Sequence, residues 1–221
     1  MTVEQFQKIH EINNTTPDTV ERLGWIVCDV FNYTQEEVNQ MKPIKFLWLV
    51  NRLERKINAK PSKFYRNKLN EDAATITLGQ FIECQHWLKN DVVQSMDLVA
   101  ASILFKRTDH AKDAAKARKM SYKNVYPSVL KFVESFNALI LNFKWLFDIQ
   151  EHEVEDTDEP IKAEALHPFI ENYAWIFSAR EVATHEGITL DQAFNLPVIQ
   201  ALNALSYLKS KQDYDKKQAK A

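Results

Sequence analysis

Residues 125–147 read VYPSVLKFVESFNALILNFKWLF. Val129, Phe132, Val133, Phe136, Leu139, Ile140, Phe143, Leu146 and Phe147 recur at steps of three and four, the period of an α-helix and not of a strand. Leu130, Leu141 and Trp145 fall on a second side. A helix that is apolar on two sides cannot bury both against one neighbour, so this one is expected to be central or sandwiched. Its first side is expected to pack on the N-terminal helices. Its second side needs another cover, either the C-terminal helices folding back or a further subunit.

Working outward, the same period recurs. Val3, Phe6, Ile9 and Ile12 stand three apart. Thr16 before Pro17 reads as a cap followed by a first-turn proline, opening a helix to about Phe31 with Val20, Leu23, Ile26, Val27 and Val30 on one face. Thr34–Glu37, Thr77–Gln80 and Thr189–Gln192 each have the capping-box pattern, a Thr with Glu or Gln three residues on. Pro43 and Pro197 open further helices. In the first of these Phe46, Leu49, Val50, Leu53 and Ile57 form the inner face, and the stripe of the last is Leu196, Ile199, Leu202, Leu205 and Leu208. Asn90 or Asp91 is expected to cap a helix reaching Leu104. Residues 161–184 look helical, split or restarted at Pro168. The tail from Lys209 is charged and is expected to fray at its end. Between residues 64 and 77 the helical rhythm breaks. Phe64, Tyr65, Leu69, Ile76 and Leu78 are compatible with a small β-hairpin there.

Composition agrees with helix. The 221 residues include three glycines, too few for a strand-rich fold or a Gly-rich phosphate loop. The expected fold is a mainly α multi-helix bundle. It is expected to comprise an N-terminal helical domain over 1–148, an acidic linker over 149–160 (EHEVEDTDE, then Pro160) and a C-terminal helical segment over 161–221. The net charge of −2 gives no global bias toward nucleic acid or anionic lipid. The N-terminus has no continuous apolar core of a signal peptide, and no segment reads as membrane-spanning. The expected location is therefore intracellular, or within a particle assembled inside a cell.

No chemistry-bearing constellation emerges. The six histidines form no HExxH, and none has zinc-finger spacing with a cysteine. Cys84 and His86 are two apart, which on a helix sends them to different sides. A single disulfide between Cys28 and Cys84 is open. Two reduced thiols packed as small core residues are the expected state. The acidic run lacks the alternation and central Gly of a calcium loop. There is no nucleophile elbow and no Walker or dinucleotide pattern. No catalytic, cofactor-binding or metal-binding residue is therefore assigned. Residues 106–123 hold seven basic residues in eighteen and provide the alternative, a nucleic-acid-associated protein, although only Tyr122 interleaves as an aromatic. Trp48 and Trp145 each lie off the main stripe of their helix. An exposed Trp beside Leu or Phe marks a protein contact, so Trp48, Leu130, Leu141 and Trp145 are the candidate interface residues.

Three blocks carry a resemblance. YTQEEVNQMKPIKFLWLVNRLERKI (33–57) resembles the short-helix, Pro, amphipathic-helix block of neck and tail-assembly proteins of tailed bacteriophages. ITLGQFIECQHWLKND (76–91) and LPVIQALNALSYLKSK (196–211) are similar to blocks of virion-associated proteins from phages of Bacteroides-like hosts, crAss-like phages included. These blocks cover well under half the chain and are helix-boundary patterns. The resemblance implies a non-enzymatic structural or assembly role in a phage particle, as a head-to-tail or tail ring subunit, an adaptor or a tail assembly chaperone. The implied partners are other protein subunits, in a homo-oligomer or a larger particle, with no cofactor.

Overall fold

The side chains of Thr2, Asp18, Thr34, Thr77, Asp109 and Thr189 each open a helix by satisfying an unpaired N–H of its first turn. The computed structural model describes residues 1–58, 69–89, 91–105, 109–147 and 168–219. Of these, 77% are helical and none belongs to a sheet. The elements are α1 (Val3–Thr15), α2 (Thr19–Phe31), α3 (Gln35–Asn39), α4 (Pro43–Ile57), α5 (Leu78–Leu88), α6 (Met96–Ser102), α7 (His110–Lys119), α8 (Tyr122–Asn142), α9 (Pro168–Glu186), α10 (Leu190–Phe194) and α11 (Val198–Gln218). All three expected capping boxes form: Glu37, Gln80 and Gln192 N–H each donate to the Thr Oγ1 three residues back, and each side chain returns to the Thr N–H. A fourth box, Thr2 with Gln5, opens α1.

Several boundaries differ from the sequence expectation. Asp18, not Thr16, caps α2: its carboxylate takes the N–H groups of Val20 and Glu21, while Thr16 N–H closes α1 on Ile12. A carboxylate at a helix N-terminus also gains from the helix dipole, which a Thr hydroxyl does not. Asp91 caps a turn, and the helix that follows is only α6. The long helix starts at Tyr122 and stops at Asn142, with 143–147 continuing as turns. The C-terminal helix runs to Gln218, further than its charge suggested.

The β-hairpin is a correction. Of residues 64–77, 64–68 lie outside the described residues, and 69–77 form no hairpin. Leu69 bridges to Leu104, Asp72 caps a 3-10 turn at Ala73–Thr75, and Thr77 bridges to Pro197. These extended residues find partners far along the chain, because the alternation between them is too weak to pair them with each other. The acidic run and residues 161–167 also lie outside the described residues.

The chain divides into two compact units, Met1–Glu71 with Glu83–Val133, and Asp72–Ile82 with Glu134–Ala221. In the first, Ile9 of α1 packs with Ile26, Val30 and Leu53, and Val27, Val38 and Leu49 knit α2, α3 and α4. Phe6 stacks on Tyr122 with ring centroids 4.2 Å apart. The buried Asp97 carboxylate takes Gln7 Nε2 at 2.8 Å and Arg118 Nε at 2.6 Å, as a buried charge must be met.

The second unit is built on small residues. Leu78 is surrounded by Ala179, Val182, Ala183, Ala193, Ala201 and Ala204, so α9, α10 and α11 can approach closely. Phe81 stacks on Phe136 at 4.9 Å and meets Trp175 edge-on at 5.6 Å. Gly79 serves close approach: a Cβ there would lie 3.2 Å from the Phe194 carbonyl oxygen. Gly187, at φ +67°, ends α9, and Ile188 N–H closes on Ala183 O in a Schellman turn.

Candidate interaction surface

Pro43 opens α4 in place of a side-chain cap, and the helix then places its residues on two faces. Leu49 and Leu53 are buried, with Phe46, Val50 and Ile57 half-buried beside them. The outer face runs Ile44, Leu47, Trp48, Asn51, Arg52 and Arg55, the i, i+3, i+4 stripe of one helix side. Its first half is apolar and wet: Ile44 is 78% exposed, Leu47 60% and Trp48 56%. Its second half is cationic. Trp48 is thus where the sequence placed it, off the buried stripe, and Ile44 and Leu47 extend it into a patch.

Some cations of the first unit are paired. Lys8, Lys116, Arg118 and Lys131 pair with Asp29, Asp113, Asp97 and Glu71 at 2.6–3.1 Å. Among the described residues, none of Lys45, Arg52, Arg55 and Lys56 has a carboxylate at ion-pair distance. Three of them lie over rings instead: Arg52 5.2 Å from Trp48, Lys45 5.0 Å from Tyr33, Lys56 4.8 Å from Phe31. Where α4 begins, an open cleft of about 590 Å³ is lined by Val20, Val38, Met41, Pro43 and Phe46 and by the carboxylates of Asp18 and Glu21.

The remaining interface candidates are also exposed. Leu130 belongs to the first unit, and Leu141 and Trp145 to the second. Trp145 is partly covered from α11, where Lys209 Nζ lies 5.6 Å from the ring and donates to the Trp145 carbonyl at 2.7 Å. Sequence reasoning expected a helix here but missed the outer stripe of α9. That helix has apolar residues on two faces: Trp175, Ala179, Val182 and Ala183 face the core, while Tyr173, Ile176 and Phe177 are exposed at the spacing of one outer stripe. The signal was present as a run without period, the mark of a helix wanting partners on both sides.

Other sequence candidates are placed as follows. Cys84 is buried and His86 exposed, and neither cysteine is in a disulfide. Burial pushes the Cys28 thiol pKa up, and its Sγ donates to Gln35 Oε1. Ser102 Oγ lies 3.2 Å from His110 Nε2, but the hydroxyl is fully buried and donates to the Leu98 carbonyl. Among the described residues no three His, Cys, Asp or Glu side chains come together as a metal site. In the basic segment, Lys106 and Arg107 lie outside the described residues. No helix of the described residues is long and apolar enough to cross a membrane. No protein-family model, curated protein or solved structure matches the chain.

Proposed function

We propose that the protein is a non-enzymatic assembly subunit that works through protein–protein contacts and associates with copies of itself. The observation that carries this reading is the outer stripe of α9. Tyr173, Ile176 and Phe177 stand exposed in register on a helix whose opposite face is already packed. Aromatic and aliphatic residues grouped in this way mark association surfaces. Its three apolar residues can pack on their like in a second copy, with exposed Arg180 following them on the same side. Leu141 and Trp145 add exposed apolar area in the same unit. The resemblance of residues 33–57, 76–91 and 196–211 to neck and tail proteins supports a tailed-phage particle as the setting. The nucleic-acid reading is less well supported, because two cations of the basic segment, Lys116 and Arg118, are held by the buried carboxylates of Asp113 and Asp97.

The test is sedimentation of the full chain over a concentration series, beside Ile176→Ser with Phe177→Ser. The wild type is expected to self-associate and the double variant to sediment as a monomer with unchanged circular dichroism. A wild type that stays monomeric at high concentration, or a variant that associates equally well, overturns the proposal.

A further inference from the structure

We propose that the outer stripe of α4 docks an acidic amphipathic helix of a partner protein, its apolar residues over Ile44, Leu47 and Trp48 and its carboxylates over Arg52 and Arg55. This goes beyond self-association and does not rest on it, since the stripe is on a different helix in the other unit.

Charge complementarity selects the occupant. The stripe is roughly 17 Å long from Ile44 to Arg55, three turns of helix, which suits a partner helix laid along it. One end offers exposed aliphatic and aromatic carbon. The other offers the exposed guanidinium groups of Arg52 and Arg55, which no carboxylate of the described residues meets at ion-pair distance. Arg52, held over the Trp48 ring, ties the two halves together, so an incoming carboxylate and an incoming Leu or Phe would meet adjacent groups. The apolar end is flanked by charges of both signs, Lys42 and Lys45 at the start of α4 and Asp18 and Glu21 in the cleft. A polyanionic surface such as DNA or an anionic bilayer would lay charged groups over the exposed carbon of Ile44, Leu47 and Trp48, which gains nothing from them. A helix that presents its acids only to the cationic half satisfies both ends.

The probe is a short labelled helical peptide with a Leu stripe in one half and Glu residues on the same face in the other. It is titrated into the full chain and followed by fluorescence anisotropy. A Lys-for-Glu version, phosphatidylserine vesicles and duplex DNA serve as comparisons. Expected is saturable binding of the Glu peptide, weakened by salt, with little binding of the Lys version. Leu47→Ser with Trp48→Ser should weaken it about tenfold or more, and Arg52→Gln with Arg55→Gln should weaken it and flatten its salt dependence. All four side chains are exposed, so the variants should keep the wild-type circular dichroism. The proposal is overturned by absent binding, by equal binding of the two peptides, by variants that bind as well as wild type, or by vesicles or DNA outcompeting the peptide. Sedimentation of the same samples reports self-association separately.

Discussion

Cys28 and Cys84 show how little a residue type says until its surroundings are known. Both sit in apolar stretches of sequence, yet Cys84 is buried while Cys28 is half-buried with its thiol on Gln35. Burial raises the Cys28 pKa, so little thiolate exists near neutral pH. Both thiols should label slowly with iodoacetamide in the native protein and quickly once unfolded; fast native labelling of either would contradict this packing. A second residue-scale effect is electrostatic. His10 Nε2 meets Asp91 Oδ2 at 2.9 Å, and the His10 hydrogen bond, followed by the Gln94 and Val93 N–H groups, holds the Asp91 carboxyl below its ordinary range. Because the folded pKa is the lower one, the stabilisation is fully present above the unfolded value of about 3.9 and is lost as pH falls through the folded value. Acid titrations of stability should therefore show a loss below about pH 4. That loss should be smaller in Asp91→Asn, which keeps the cap but not the charge. An identical acid profile in the variant would remove the pair as its cause. None of this pairing was legible in the sequence, since the partners stand 81 residues apart.

At the scale of elements, the boundaries that could be read were those with local causes. A Thr and a Glu or Gln three residues on satisfy each other within one turn, so the boxes at Thr34, Thr77 and Thr189 needed no tertiary information. Pro43 marked a helix start for the same reason. What failed depended on distant partners or on competition between neighbours. The expected hairpin gave way to bridges with Leu104 and Pro197, and Asp18 outcompeted Thr16 as a cap. Of the candidate surface, Trp48 was legible as a residue off its helix's inner stripe. Its cationic neighbours acquired meaning only once their lack of carboxylate partners could be seen. The outer stripe of α9 was hidden because apolar residues on two faces blur the period that marks one. Thr189→Ala removes the acceptor for Gln192 N–H and should cost about 1 kcal/mol in urea unfolding. An unchanged midpoint would mean that α10 is held by the packing of Ala193 alone.

For the whole molecule, the question is whether two units make two folding transitions. The units are interleaved in sequence: residues 72–82 belong to the second while their flanking segments belong to the first. Both α5 and α8 contribute residues to each unit, with α8 changing membership between Val133 and Glu134 in mid-helix. Ending α8 there would leave up to four carbonyl and four N–H groups without intrahelical partners, and would strip Phe136 and Leu139 from the second unit. Neither unit can therefore unfold without loss to a helix that the other uses, and a single cooperative transition is expected. Core truncations placed one in each unit make this measurable. Leu49 packs in the first and Leu202 in the second, both buried, and each Leu→Ala change should cost about 2–5 kcal/mol. If the molecule is cooperative, either change lowers the urea midpoint of the whole transition, and tryptophan fluorescence and far-ultraviolet circular dichroism stay superimposed. Trp48 reports on the first unit and Trp175 on the second, so single-tryptophan versions can follow each unit in turn. If Leu202→Ala instead shifts only the Trp175 signal and leaves that of Trp48 in place, the units unfold independently, and the continuity of α8 does not couple them.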